Sequence, residues 1–509
     1  MNRKEATKEV CKSKKEKALI KFIIVFTIVI GFIIIFLTGT SIAFKGTENI
    51  VKVSSEREAL AATKILVEKD SNGYWNIKAD KYSGKIGEDS DIAHDSYLKV
   101  LQLTDIHFGG GIFSINNDKK TIVGIQKMIE WSRPDLIIIT GDAVYPVPYT
   151  SGSINNKKSI KNFASLMNSF KIPWAFIYGN HDTEAYAVGS KNEISKILEE
   201  NSYNGKDKFC LFQKGPEFKK TVGEIPQGNY PILIRDKNTD ELKHVIMMMD
   251  SNKYNKESEG PPLFKYDYIH EDQANWYKET IKKLSLDNGY TLGSPVTSSL
   301  YIHIPLKQYR EAWLAVIANS KQKTDKDINN PLSSNVRYFG GDMQEYTRKG
   351  ENNVLVSSSS INGPIWKAML DMKSTKFVFC GHDHDNNFSV ELDGIRLTYG
   401  KSMDYQAYPS IAKRTFQRGS SVILLTGEQG ENAINLYQKK LARIGEGDGL
   451  SEYNSVKTGK VEDVYLNTPN PKMMNPMKKI KLEIGLIFGA IILLIALRIT
   501  FKAIKKKKA

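Results

Sequence analysis

Residues 99–107 read KVLQLTDIH: a short apolar run of β character that ends in a carboxylate, Asp105, and an imidazole, His107, two positions apart. The same construction recurs down the chain. Asp135–Thr140 runs into Gly141-Asp142, Trp174–Tyr178 into Gly179-Asn180-His181-Asp182, Ser299–Ile302 into His303, and Phe377–Phe379 into Gly381-His382-Asp383-His384. Val245–Met249 adds another apolar run, and helical periodicity over 121–131, 159–170, 193–199, 272–284 and 308–318 separates the strands. Strands alternating with helices predict an α/β layered fold.

In open α/β sheets ligands bind beyond the carboxyl ends of the strands, so these side chains are expected to converge. What converges is a set of nitrogen and oxygen donors, and that points to metal. Two ions about 3.5 to 4 Å apart need such donors on both and a carboxylate between them. Imidazole content favours manganese, iron or zinc over calcium or magnesium, which prefer all-oxygen shells. Gly141, Gly179 and Gly381 suit tight turns that aim the ligands inward.

The order D-x-H, G-D, G-N-H-D, a lone His and G-H-x-H resembles the calcineurin-like metallophosphoesterase superfamily. Residues 104–109 (TDIHFG), His303-Ile-Pro-Leu and residues 381–386 (GHDHDN) look closest to its purple-acid-phosphatase-like branch. The resemblance implies a layered αββα sandwich over residues 98–440. It implies that Asp105, His107 and His384 hold one metal ion, that Asn180, His303 and His382 hold the other, and that Asp142 bridges them. His181 is then expected at the leaving oxygen as proton donor or charge stabiliser, oriented by Asp182. The function implied is hydrolysis of phosphate esters by a metal-bridging hydroxide. A phosphodiesterase of cyclic nucleotides or lipid head groups, and a non-catalytic receptor or scaffold with this fold, are the alternatives. True purple acid phosphatases place a ligand tyrosine at the position of Tyr145 but lack the histidine of D-x-H, so Tyr145 is read as a non-ligand. His94, His244 and His270 match no motif, His244 being the rival of His303.

Net charge is +15, and nearly all of it sits at the two ends. Residues 1–17 carry seven basic and three acidic side chains, Lys21 adds one, and 472–509 carry ten basic against one acidic, which leaves +1 for 45–471. No electrostatic footprint for nucleic acid remains. The basic ends instead flank apolar segments: residues 18–44 read as a transmembrane signal-anchor, or a signal peptide cut after Ser41-Ile42-Ala43, and 480–501 as a second membrane helix. Basic residues in 1–17 and 502–509 put both termini in the cytoplasm, with the catalytic domain outside the cell membrane. Residues 45–97 are then a polar stalk leading into short strands, and 441–479 a linker. The expected partners are a phosphoester substrate and the lipid bilayer. Three cysteines, Cys11, Cys210 and Cys380, are too few for a disulfide framework; a Cys210–Cys380 bridge and free thiols both stay open.

Overall fold

A computed structural model describes residues 17–33, 65–219, 224–255, 257–258, 265–319, 331–333, 335–341, 356–407 and 418–441. Strands β5 (Leu98–Leu103), β6 (Leu136–Thr140) and β7 (Trp174–Ile177) run parallel, linked by helix α2 (Ile115–Ser132) in the first crossover and by the short α3 (Pro148–Ser151) and α4 (Asn156–Ser169) in the second. Parallel neighbours need long crossovers of this kind, and burial on both faces accounts for the uniformly apolar Leu-Ile-Ile-Ile of β6. Antiparallel β16 (Gly419–Leu425) and β17 (Ile434–Lys440) complete a sheet ordered β17-β16-β5-β6-β7.

The second sheet has ten strands. Its centre is β9 (Leu242–Met248), β10 (Ser298–Tyr301) and β13 (Thr375–Cys380), which are mutually parallel. One flank is built by β8 (Tyr230–Asp236), β2 (Trp75–Ala79) and β1 (Leu66–Lys69). The other runs through β15 (Ile395–Tyr399), β14 (Ser389–Leu392) and β12 (Val336–Gly340) to β11 (Pro331–Ser333). A separate hairpin pairs β3 (Tyr82–Lys85) with β4 (Ala93–Ser96).

The period of two along a strand sorts the core into layers. Ile232, Ile234, Ile246, Met248, Tyr301, Phe377 and Phe379 pack with residues of the five-stranded sheet. Their neighbours Leu233, Val245, Met247, Leu300 and Val378 face the other way, onto α6 (Glu271–Asp287), α7 (Lys307–Asn319) and α8 (Ile365–Met372). Helices α2, α4 and α5 (Lys191–Glu200) cover the far side of the smaller sheet through Ile122, Ile125, Phe163 and Ile194. The layering is therefore helix, sheet, sheet, helix, as the resemblance implies.

Residues 65–97 hold β1 to β4, and two of these extend the larger sheet. Of the first apolar segment, residues 17–33 form helix α1, whose large apolar side chains are exposed. Among the described residues no helix is long and apolar enough to cross a membrane. The remainder of 18–44, and all of 480–501, lie outside the described residues. Cys210 and Cys380 are buried free thiols.

Candidate metal centre

Every motif of the ordered series lies just past the carboxyl end of a strand. Asp105 and His107 follow β5, Asp142 follows β6, Asn180 and His181 follow β7, His303 follows β10, and His382 and His384 follow β13. The two sheets are joined at this end by a bridge between Thr104 and Ser402 and by Gln102 Nε2 donating to the Cys380 carbonyl at 3.2 Å. Tight turns here force unusual backbone: Asp105, His107, Asp142 and His382 all have φ between 49° and 79°, a region that non-glycine residues rarely enter. Strain of this kind persists where the surroundings over-determine it, and it gathers at functional sites. Of the three glycines, only Gly141 takes a left-handed φ, 86°. Gly179 and Gly381 are needed for close approach instead: a Cβ on Gly179 would lie 2.1 Å from Asp142 Oδ1, and one on Gly381 would lie 1.9 Å from Thr104 Oγ1.

The side chains meet in two groups that share one member. Donor atoms of Asp105, His107, Asp142 and His384 lie within 4.8 Å of one another, as do those of Asp142, His303 and His382. Asp142 Oδ2 is 3.2 Å from His107 Nε2 and 3.2 Å from His303 Nε2, so one carboxylate oxygen faces both groups. Its Oδ1 accepts the His181 backbone N–H at 2.8 Å. Asn180 Oδ1 is 3.2 Å from His303 Nε2 and joins the second group. All of these residues except His181 are buried.

Tautomers follow from the partners. His303 Nδ1 faces the Thr140 carbonyl at 2.8 Å, and the Nδ1 atoms of His107 and His384 face Asp404 at 3.4 and 3.2 Å. The carbonyl and carboxylate make Nδ1 the donor in His303 and His384, and the charge of Asp404 favours the same tautomer in His107, whose Nδ1 makes no hydrogen bond of its own; three Nε2 atoms are thereby left to face the centre. His382 Nδ1 lies 3.3 Å from His303 Nε2, and its own Nε2 is buried without a hydrogen-bond partner. Converging lone pairs and carboxylates in a buried pocket call for cations, and the donor set fits two N/O-ligated metal ions.

Electrostatics without metal tell the same story, since protons take the cations' place. Burial lowers His107, but Asp404 and Asp142 outweigh it and hold the ring up at about 10. His303, lowered by burial and raised by Asp142, ends at about 9. Asp142 is pushed up by burial yet ends well below the usual carboxylate range under the pull of His303, His181 and His107. His382, buried and beside His303, is driven well below the usual imidazole range.

One expectation is corrected. Asp182 does not orient His181: its carboxylate accepts the backbone N–H groups of Gly179, Asp142 and Val144 at 2.8 to 3.0 Å, bracing the β6 and β7 loops. Glu184 takes that place, its Oε1 lying 2.7 Å from His181 Nδ1. Asp182 points back because its turn is closed by those three amides, whereas Glu184 lies three positions beyond His181. Sequence reading also missed Asp404, which sits in no motif. Tyr145 packs its ring edge-on against His107 and His181, with centroids 4.9 Å from each. His244, the rival of His303, lies inside β9 with Nε2 at 2.9 Å from Ser299 Oγ, outside both groups.

The sequence model of the family described as calcineurin-like phosphoesterase matches residues 98–386. The chain is 27% identical over 345 residues to probable inactive purple acid phosphatase 14 of Arabidopsis thaliana, covering 62% of this chain and 73% of that protein. To probable inactive purple acid phosphatase 29 of the same plant it is 25% identical over 402 residues, 74% of this chain and 85% of the relative. Phosphatase DCR2 of Saccharomyces cerevisiae is 28% identical over 324 residues, 60% of this chain and 47% of its own length.

Proposed function

The chain belongs to the calcineurin-like phosphoesterase family, and from that premise we propose that it is a membrane-anchored phosphohydrolase that cleaves phosphate esters at a two-metal centre. The observation that supports this best is the pair of donor groups sharing Asp142. Three of the relatives carry "inactive" in their names. In this chain all seven expected ligand positions are filled by side chains able to coordinate, which favours catalysis over a scaffold role.

Asp105, His107, His384 and Asp142 would hold one ion, and Asp142, Asn180, His303 and His382 the other. Bound there, a metal pair supplies Lewis acidity toward the phosphoryl oxygens and lowers the pKa of water for attack on phosphorus. The chain's own part is orientation and proton handling. Thr140 and Asp404 fix which nitrogen carries hydrogen in His303 and His384, so neither of these rings would have to turn before it could ligate. His181 is the one partly exposed member; with Nδ1–H held by Glu184, the doubly protonated ring would present Nε2–H to the departing oxygen as proton donor. Tyr254 donates from its hydroxyl to Glu184 at 3.5 Å and accepts from Asn180 Nδ2 at 3.2 Å, tying the acid to a ligand.

The test is metal analysis of the purified full chain together with turnover of p-nitrophenyl phosphate and bis-p-nitrophenyl phosphate. About two ions per chain and hydrolysis of at least one compound are expected, with both lost in Asp142→Ala. A metal-free protein inert toward both would sink the reading.

A further inference from the structure

Outside α1, ten large apolar or aromatic side chains stand exposed among the described residues. Five of them stand on three neighbouring segments, 108–114, 146–155 and 183–190: Phe113 (59% exposed), Tyr149 (81%), Ile154 (36%), Tyr186 (47%) and Val188 (52%). The loops are locked together. Phe113 donates its N–H to the Ser151 carbonyl at 3.0 Å, and Val188 donates to the Ile154 carbonyl at 2.9 Å. Asn156, at the start of α4, binds the carbonyls of Asp182 and Gly189 at 2.9 and 2.8 Å. Tyr145, four residues before Tyr149, packs its ring edge-on against His181 at 4.9 Å, which places the second of these segments at the rim of the metal centre.

A contiguous exposed apolar patch rimmed by charge marks an interaction surface. Lys119 and Lys120 lie in the first turns of α2, and Lys157 and Lys158 in the first turn of α4, so lysines follow two of these segments directly in the chain; Lys157 is paired with Glu193 at 2.8 Å. Aromatic rings and aliphatic side chains accompanied by lysines make up the composition that settles at the boundary of an anionic bilayer. A protein seated on this patch would bar the mouth of the centre on the His181 side. A bilayer would not, because it carries phosphoesters in its own surface. The chain also brings an apolar helix, α1, with exposed side chains from Leu19 to Ile33 that need such a medium.

We infer that this rim is seated on a lipid surface, which holds the mouth of the metal centre at head-group level and gives it phosphoesters presented in that plane. The inference rests on the membrane-anchored phosphohydrolase reading above, and the experiment separates the two.

The full chain carrying Cys11→Ser is reconstituted into phosphatidylcholine–phosphatidylglycerol vesicles, with a nitroxide at one introduced cysteine: Ile30→Cys in α1, Val188→Cys in the rim, or Leu292→Cys. Leu292 is exposed on the loop leading into β10, at the end of the strand away from His303. Collisions with oxygen and with a water-soluble nickel chelate report whether each label sits in lipid or in water. Labels at 30 and 188 are expected in lipid and the label at 292 in water, and Tyr149→Ser with Tyr186→Ser should return the 188 label to water. Lipid contact at 30 but not at 188 overturns the seating and leaves the anchor standing. Water at both overturns both, and a 188 label indifferent to the two serine changes overturns the patch as its cause. Turnover of p-nitrophenyl phosphate in the same vesicles reads the hydrolase independently of the labels.

Discussion

Asp404→Asn removes one negative charge while keeping the shape of the side chain, and two imidazoles feel it. Both Nδ1 atoms, of His107 and of His384, face this carboxylate. Losing a partner that orients a metal-ligating histidine typically weakens metal binding about 10- to 100-fold, or about 1.4 to 2.7 kcal/mol. A second effect opposes it. Asp404 is also the larger of the two carboxylate influences that raise His107 to about 10, so in the wild type a metal must displace a tightly held proton. Taking Asp404 away loosens that proton. The two effects separate by pH: wild-type affinity should climb steeply as pH rises toward 10, and that of the variant less steeply. Competition titration against a fluorescent chelator should therefore find Asp404→Asn weaker by about 10- to 100-fold near pH 9, with the gap narrowing toward pH 7. Equal affinities at pH 9, or a gap that widens toward acid, would refute the assignment of Asp404 as the common support of both rings.

Glu184→Gln should lower kcat with KM and metal content unchanged, and more for phosphoesters with poor leaving groups than for aryl phosphates. Combined with His181→Ala it should add little, because Glu184 acts through that ring; additive losses would show that it does not. Gly179→Ala places a Cβ against Asp142 Oδ1, so metal content should fall by more than half even if far-UV circular dichroism is unchanged. Stability of the metal-free protein should decline between pH 7 and 10 in thermal scans. The sign follows from His107 and His303, whose folded values of about 10 and 9 exceed the ordinary 6.5. Their contribution is complete below about 6.5 and disappears as pH rises through the folded values. Metal-loaded protein should show no such decline, since the ions replace the protons.

The strand ends could be read from sequence because each places a ligand directly after an apolar run, and short-range order alone carries that signal. Leu136–Thr140 and Trp174–Ile177 fall within one residue of the expected spans for this reason. Asp404 left no such trace. It follows β15 by five residues, in a loop whose closeness to His107 depends on the Thr104–Ser402 bridge between sheets, a contact no local pattern encodes. The exchange of Asp182 for Glu184 has a different cause. Both carboxylates follow His181 closely, and only the hydrogen bonds of the turn decide which one bends back to the backbone amides. Strands β8 and β16 went unread as well: each is buried and apolar but ends in no functional residue to draw notice.

Asp105 and His382 touch across 277 positions of sequence, since the amide of His382 donates to the Asp105 carboxylate. Such distance imposes a timetable. While the chain emerges from the ribosome, its amino-terminal half can collapse but holds only fragments of each donor group. Neither group is complete until His382 and His384 have been made, so a polypeptide truncated before residue 382 should retain ions less firmly than the full chain.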